Sequence, residues 1–282
     1  MSRMRSLAGR AAVVTGGGSG IGAGMCRRFA HQGMHVVVAD IDGPSAEATA
    51  TALREAGARA EAVVCDVSDR GSVEDLATAA IGATGGVDVV CNNAGVFLGG
   101  NMRDFTVGDW EWVMSVNLMG VVHGSSVFTP HLVERGAGHI VNTASIGGFS
   151  TDPNCAPYTT SKFAVVGYSE ALRKDLAPDG IGVSILCPGP VATGIDACDR
   201  LRPEAAGPSP VTSKAAVPVI AQGMSPDAVG DLVVRGIAED ATYIFTHPEL
   251  GPLFEPRIEE MRAALANAPT PAERVVQPGD LG

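Results

Sequence analysis

The sequence predicts an α/β fold: a single domain built on a doubly wound parallel sheet with helices on both faces. Three observations predict it. Short apolar runs of strand length alternate with longer helical stretches almost to the end of the chain. Those runs are apolar on both sides, as strands covered by helices on two faces must be. The chain also has 282 residues, 45% hydrophobic and 18% charged, enough for one sizeable core and ordinary for a globular domain.

The elements follow in order. Ala11–Thr15 is β-branched and uncharged, and reads as the first strand. Gly16-Gly17-Gly18-Ser19-Gly20-Ile21-Gly22 opens a helix that runs to His31 and stops at Gly33. A second strand, His35–Ala39, ends at Asp40, twenty residues beyond Gly20. Further strands are expected at Ala60–Cys65, Val87–Cys91, His139–Thr143, Val183–Cys187 and Thr242–Thr246, with helices such as Pro44–Ala56, Ser72–Thr84 and Ser225–Glu239 between them. Pro157 suits the first position of a helix covering Tyr158–Leu176, which ends near Pro178 and Gly180. Two segments break the alternation. Pro190–Met224 is rich in Pro, Gly and Ala without clean periodicity, and a long segment of that kind in a compact domain is usually functional or disordered. Residues 267–282 are Pro-rich with no apolar face, so the domain is expected to span 1–266 and the remainder to form a loose tail.

The glycines carry the first chemical signal. They permit a tight turn and close backbone approach to a pyrophosphate, whose charge is met by the helix N-terminus. An acid ending the second strand stands where a dinucleotide fold bonds the adenosine ribose hydroxyls, which assigns that role to Asp40. The second signal is Tyr158 and Lys162, four residues apart on one helix face, with Ser145 thirteen residues upstream of Tyr158. An ammonium beside a phenol is expected to lower the phenol's pKa and ready it for proton transfer at an alcohol or carbonyl oxygen, with Ser145 supplying a second hydrogen bond.

Thr15-Gly16-x-x-x-Gly20-x-Gly22, Asn92-Asn93-Ala94-Gly95, Asn117, Ser145, Tyr158, Lys162 and Pro188-Gly189 together resemble the short-chain dehydrogenase/reductase family, from about Gly9 to Thr246, with no departure at a motif position. The resemblance implies a Rossmann-like sheet of seven strands in the order 3-2-1-4-5-6-7, and hydride transfer with NAD. It implies cofactor contacts from Gly16, Ser19, Gly20, Ile21, Gly22 and Asp40. Asp66 and Val67 are implied at the adenine, and Asn93, Ala94 and Gly95 at the second ribose. Pro188, Gly189, Val191 and Thr193 are implied at the nicotinamide, with Tyr158 and Lys162 also touching the cofactor. Asn117 joins Ser145, Tyr158 and Lys162 in the implied catalytic set, through a proton relay with Lys162. Residues 190–224 are implied to be the substrate lid. Substrate contacts are expected from Ser145, Tyr158, Phe97, Phe149, Cys155 and Ile195, within a mostly apolar lining that also draws on Val96, Leu98, Val217, Val219 and Ile220. The stretches Ala197–Pro203 and Tyr243–Pro248 resemble bacterial members that oxidise hydrophobic or aryl alcohols.

Composition narrows the partners. A formal net charge of −11 argues against nucleic-acid or anionic-membrane surfaces. No apolar run reaches transmembrane length, and the basic start Met1–Arg5 lacks the apolar stretch of a signal peptide, so a cytoplasmic location is expected. The six cysteines have no C-x-x-C pair and read as free thiols, and no His, Asp or Glu cluster has metal spacing. The helices carrying Asn117 and Tyr158 have more apolar surface than one sheet face covers, which points to a homotetramer or homodimer. The expected activity is therefore NAD-dependent interconversion of a secondary alcohol and a ketone on a small, hydrophobic molecule. The alternatives are an NADPH-dependent ketone reductase, or a dinucleotide-binding regulator without turnover; the intact Ser145, Tyr158 and Lys162 count against the regulator.

Overall fold

The computed structural model describes Met4 and residues 6–220 and 222–269; the tail expected at 267–282 lies outside the described residues from residue 270 onward. The seven strands are β1 (Ala11–Thr15), β2 (His35–Asp40), β3 (Arg59–Val64), β4 (Val89–Asn92), β5 (Gly138–Thr143), β6 (Ile181–Cys187) and β7 (Tyr243–Phe245). All neighbours pair in parallel, in the order β3-β2-β1-β4-β5-β6-β7. That is the expected order, with strand ends shifted by a residue or two where hydrogen bonding outruns the apolar run.

Alternation along each strand divides the core into two layers. Ala12, Val14, Val36 and Val38 pack with Met25 and Phe29 of α1 (Gly20–His31), Leu53 of α2 (Gly43–Glu55), and Val229 and Val233 of α8 (Pro226–Glu239). Val13, Val37, Val90 and Ile140 face the other way. They meet Leu76 of α3 (Arg70–Thr84), Phe128 and Leu132 of α5 (Gly120–Arg135), and Leu176 of α6 (Ala156–Leu176). Between the central strands lies a buried polar chain. The Asn92 side-chain amide donates to Ser125 Oγ and Asn142 Oδ1, and Asn142 donates to Ser169 Oγ. Asn92 thus ties β4 to its strand neighbour β5 through Asn142 and to the covering helix α5 through Ser125.

Two features depart from expectation. Asn117 does not sit inside a regular helix: α4 (Val107–Met114) passes into α5 through a π turn at Ser115–Met119. The segment after β6 is also built rather than structureless. It carries 3-10 turns at Ile195–Leu201, Glu204–Ala206 and Ser213–Ala216, then the short α7 (Val217–Ile220). Isolated bridges join Gly99 to Thr212 and Val191 to Met224. Polar cross-links hold its interior. Asp199 accepts from Thr212 Oγ1 at 2.8 Å and from the Ser213 N–H at 3.1 Å, and Arg202 pairs with the fully buried Asp109 at 2.7 Å.

The chain divides into two compact units, Met1–Pro248 and Glu249–Gly282. The unit holding the sheet therefore ends short of residue 266, and α9 (Glu255–Ala266) belongs to the second. No residue of α9 is buried, so it lacks the apolar stripe that would tie a helix to a core. All six cysteines are free thiols, five of them buried and Cys155 half-buried. Among the described residues no helix is long and apolar enough to cross a membrane.

The polar chain at Asn92 is tightly enclosed, since a methyl carbon built on Gly124 of α5 would lie 1.9 Å from Asn92 Oδ1. Gly124→Ala is expected to push Asn92 off its partners and destabilise the fold by about 2 kcal/mol or more. Thermal unfolding should show a Tm lower by roughly 4–8 °C.

Candidate active site

The cradle between β1 and α1 is made by backbone. Gly16 and Gly20 hold φ of +65° and +48°, conformations that a side chain resists. A methyl carbon on Gly22 would lie 2.0 Å from the Gly16 carbonyl oxygen, and one on Gly18 would lie 2.9 Å from Asp40 Oδ2. Ser19 is the α1 N-cap, yet its side chain makes no capping bond, which leaves first-turn N–H groups of Gly20, Ile21 and Gly22 free to meet an anion. Asp40 closes one side: Oδ2 accepts from the Gly18 N–H at 2.9 Å and Oδ1 from the Asp42 N–H at 3.0 Å. Thr193 closes the other, its Cβ 3.1 Å from a carbon built on Gly20. These residues suit a dinucleotide: small, donor-rich backbone for a diphosphate, and a carboxylate where a ribose would end.

The neighbouring contacts extend the groove along the strand ends. Asp66 Oδ1 accepts from the Ser68 N–H and hydroxyl, at 2.9 and 2.7 Å; Asp69, not Asp66, caps α3. Val67 is buried, with its carbonyl 2.9 Å from His123 Nδ1. Asn93 ties β4 to β1, donating from its backbone to Thr15 Oγ1 and from its side chain to the Thr15 carbonyl. Ala94 also donates to Thr15 Oγ1. Pro188 accepts from the Ile146 N–H, the Gly189 N–H donates to Thr246 Oγ1, and Val191 is buried beside Met224.

Beyond the groove, Asn117, Ser145, Tyr158 and Lys162 come together. Asn117 is fully buried; its Oδ1 accepts from the Val96 N–H at 2.8 Å, and its amide donates to the Val96 carbonyl at 2.9 Å and to Ser161 Oγ at 3.1 Å. A carbon built on Gly95 would lie 3.4 Å from Asn117 Oδ1 and 3.7 Å from Lys162 Nζ. Lys162 donates to the Thr143 carbonyl at 3.0 Å, and its Nζ stands 5.5 Å from the Tyr158 ring centre. Ser145 Oγ accepts from the Gly147 N–H at 3.1 Å and reaches the Pro188 carbonyl at 3.4 Å. Phe97 meets Tyr158 edge to face, with ring centres 5.0 Å apart.

The electrostatics correct one expectation. Burial pushes the Tyr158 phenol above its ordinary range, the Ser145 hydrogen bond pulls it back in part, and Cys155 adds to the rise. Lys162 is not among the groups that lower it. Its Nζ is turned to the Thr143 carbonyl and stands off the phenol ring, and burial pulls the ammonium's own pKa from 10.5 to about 8.

The expected substrate residues do not all meet. Cys155 is half-buried one turn before Tyr158, its thiol 3.3 Å from Thr159 Oγ1. Ile195 is half-buried at the start of its 3-10 turn. Val96 and Leu98 are buried, packing with Trp112 and Cys198, and Val217 is exposed. The Val219 side chain lies outside what is described. The Phe149 ring groups with Tyr243 and Phe245 of β7, at 5.9 and 5.4 Å. Sequence reasoning gave no role to Thr15, which stands in the glycine motif and accepts from Asn93 and Ala94, and it missed Thr143 and Ser161, each a lone hydroxyl residue outside any motif.

Such a cradle and such a cluster on one parallel sheet define a dinucleotide-dependent oxidoreductase of the Tyr-x-x-x-Lys kind. The short chain dehydrogenase family model matches residues 10–203, and the chain belongs to that family. It is 32% identical over 271 residues to a CLA biosynthesis dehydrogenase/reductase of Lactiplantibacillus plantarum, covering 92% of this chain and 95% of that protein. It is 36% identical to a 1-deoxy-11-beta-hydroxypentalenate dehydrogenase of Streptomyces exfoliatus, covering 85% of this chain and 84% of that protein. A crystal structure of a short chain dehydrogenase/reductase from Burkholderia phymatum in complex with NAD superposes with a TM-score of 0.89 at 38% identity, covering 96% of this chain and 99% of that one. The chain is accordingly an oxidoreductase of alcohols and ketones that uses a nicotinamide dinucleotide.

The buried lysine sets a stability test on the ligand-free protein. Between pH 8 and 10.5 the unfolded chain binds a proton at Lys162 that the folded chain has released, so this group makes stability rise with pH across that window. Below pH 8 its desolvation destabilises the fold, by an amount on the order of 3 kcal/mol. Lys162→Met is expected to remove that slope, so the Tm of wild type minus that of the variant should climb from pH 8 to 10.5 in calorimetry.

Proposed function

We propose that the chain is an NAD-dependent dehydrogenase that interconverts a secondary alcohol and a ketone on a small, hydrophobic molecule. The observation that carries the reading is the common location of Tyr158, Lys162, Ser145 and the Gly95–Phe97 segment at one end of the glycine cradle. When bound, the dinucleotide supplies the hydride acceptor or donor. Every other contribution comes from this chain. Tyr158, with its proton held by burial, gives that proton to a ketone oxygen in reduction and takes one from an alcohol in oxidation. Ser145 steadies the same oxygen. Lys162 holds the nicotinamide ribose, and its readily lost proton suits it to the path that returns Tyr158 to its starting state. Asn117 positions both, because its side-chain amide pins Val96 and keeps Gly95 against the ammonium.

Asp40 favours NAD over NADP. In NADP a phosphate replaces one ribose hydroxyl, and it would face the Asp40 carboxylate, a like-charge approach that costs affinity. The buried Val96 and Leu98 and the Phe97 ring favour an apolar substrate beside Tyr158. The relatives named dehydrogenases support oxidation of a hydroxyl group as the reaction class.

A panel of secondary alcohols, steroids, sugars and ketones read by nicotinamide absorbance tests the reading. Tyr158→Phe should lower turnover by a factor of ~10³ or more while NADH still binds, since only a hydroxyl is lost; substantial residual turnover would show that the proton comes from elsewhere. The chain is also proposed to assemble as a homotetramer or homodimer. Met119 at the π turn and Val133 on α5 are 40% and 37% exposed, apolar surface that pairing would cover. Sedimentation at micromolar concentration should give a dimer or tetramer, and a monomer alone refutes it.

A further inference from the structure

An arginine in the glycine loop, or just after β2, would be the obvious way to tolerate the extra phosphate of NADP, and neither place holds one. The fold brings one from elsewhere. Arg200, in the 3-10 turn Ile195–Leu201, pairs with Asp42 Oδ2 at 2.7 Å across 158 residues of sequence. Asp42 in turn donates its N–H to Asp40 Oδ1 at 3.0 Å, so the guanidinium is anchored to the residue bonded to the ribose acid.

The backbone presenting Arg200 is fixed on both sides. Cys198 lies within 3.3 Å of both the N–H and the carbonyl of Phe97; Asp199 is held by Thr212 and Ser213; Arg202 is locked to buried Asp109. The Arg200 side chain, by contrast, is 56% exposed, and Asp42 is its recorded partner among the described residues. An exposed ion pair of this kind is cheap to break, and a guanidinium fork has further donors for a phosphate. Asp42 does not need the arginine to stay in place, because it caps α2 by accepting from the Ser45 N–H at 3.2 Å. The two arginines of α1 are engaged elsewhere, Arg27 with Asp227 and Arg28 with Asp231.

Resting on the assignment of Asp40 to the adenosine ribose, we propose that Arg200 is a lid-borne determinant of dinucleotide choice, which turns from Asp42 to the ribose phosphate of NADP and tempers the rejection by Asp40. Discrimination at this site is then a balance of two carboxylates against one cation, and that cation comes from the substrate lid.

Fluorescence titration of the full chain with NADH and with NADPH tests this without turnover or a known substrate. Arg200→Gln should weaken NADPH roughly five- to tenfold more than NADH. Arg200→Lys should recover part of that loss, and Asp42→Asn, which frees the guanidinium and removes a carboxylate, should shift the ratio toward NADPH. Competition by 2′,5′-ADP against 5′-AMP should follow the same order. Equal weakening of NADH and NADPH in Arg200→Gln, with no recovery in Arg200→Lys, means that the arginine only closes the lid, and it overturns the proposal. An unchanged ratio in both Arg200→Gln and Asp42→Asn also overturns it, while NADH binding by wild type leaves the cofactor assignment standing. If Asp40→Ala leaves the ratio unmoved, the ribose assignment fails and takes this inference with it.

Discussion

The bidentate clasp between Asn117 and the Val96 backbone is the interaction on which the active end of this molecule depends. A buried amide must spend its hydrogen bonds somewhere, and here it spends them on both polar groups of one peptide residue and on Ser161. Three separate pieces of chain are joined at a single side chain: the segment leaving β4, the π turn and α6. Gly95 is thereby held against Lys162, and Phe97 two residues on meets Tyr158. No apolar residue could replace that function, because packing sets distance but does not fix the register of a peptide unit.

Much of the architecture was legible because its causes are local. Buried parallel strands write themselves as uncharged runs, and the glycines of the β1–α1 turn are demanded by contacts within a few residues. The segment after β6 was not legible for the opposite reason. Its order comes from polar cross-links such as Asp199 to Thr212 and Ser213, and Arg202 to Asp109. Each partner is an ordinary surface residue when read in sequence, and the 3-10 turns between them have no apolar period to detect. The division at Glu249 leaves no mark in composition, because the Pro-rich stretch that set the expected bound begins only at residue 267.

At the site, the order of motifs located Asn117, Ser145, Tyr158 and Lys162 together, but not their charge state. Spacing says that an ammonium and a phenol share a helix face. It does not say that burial acts on both, which raises one pKa and lowers the other. Phe149 shows the same limit. It was placed in an apolar lining as a single residue, and sequence does not reveal that its ring joins an aromatic group with Tyr243 and Phe245 of β7. Arg200 marks the far end of the scale, a long-range charge that only the folded segment after β6 brings to Asp42.

The π turn between α4 and α5 also sets a phase. One extra residue in a helix rotates everything beyond it by about 100° relative to an uninterrupted α-helix. The face of α5 that meets the sheet, with Gly124 against Asn92 and Phe128 and Leu132 in the core, is aimed by that rotation. The irregularity that seats Asn117 is therefore also the indexing step for sixteen residues of helix. Chemistry and core packing share one insertion, so a deletion that straightened the helix would turn the wrong side of α5 toward the sheet while leaving every side chain in the sequence unchanged elsewhere.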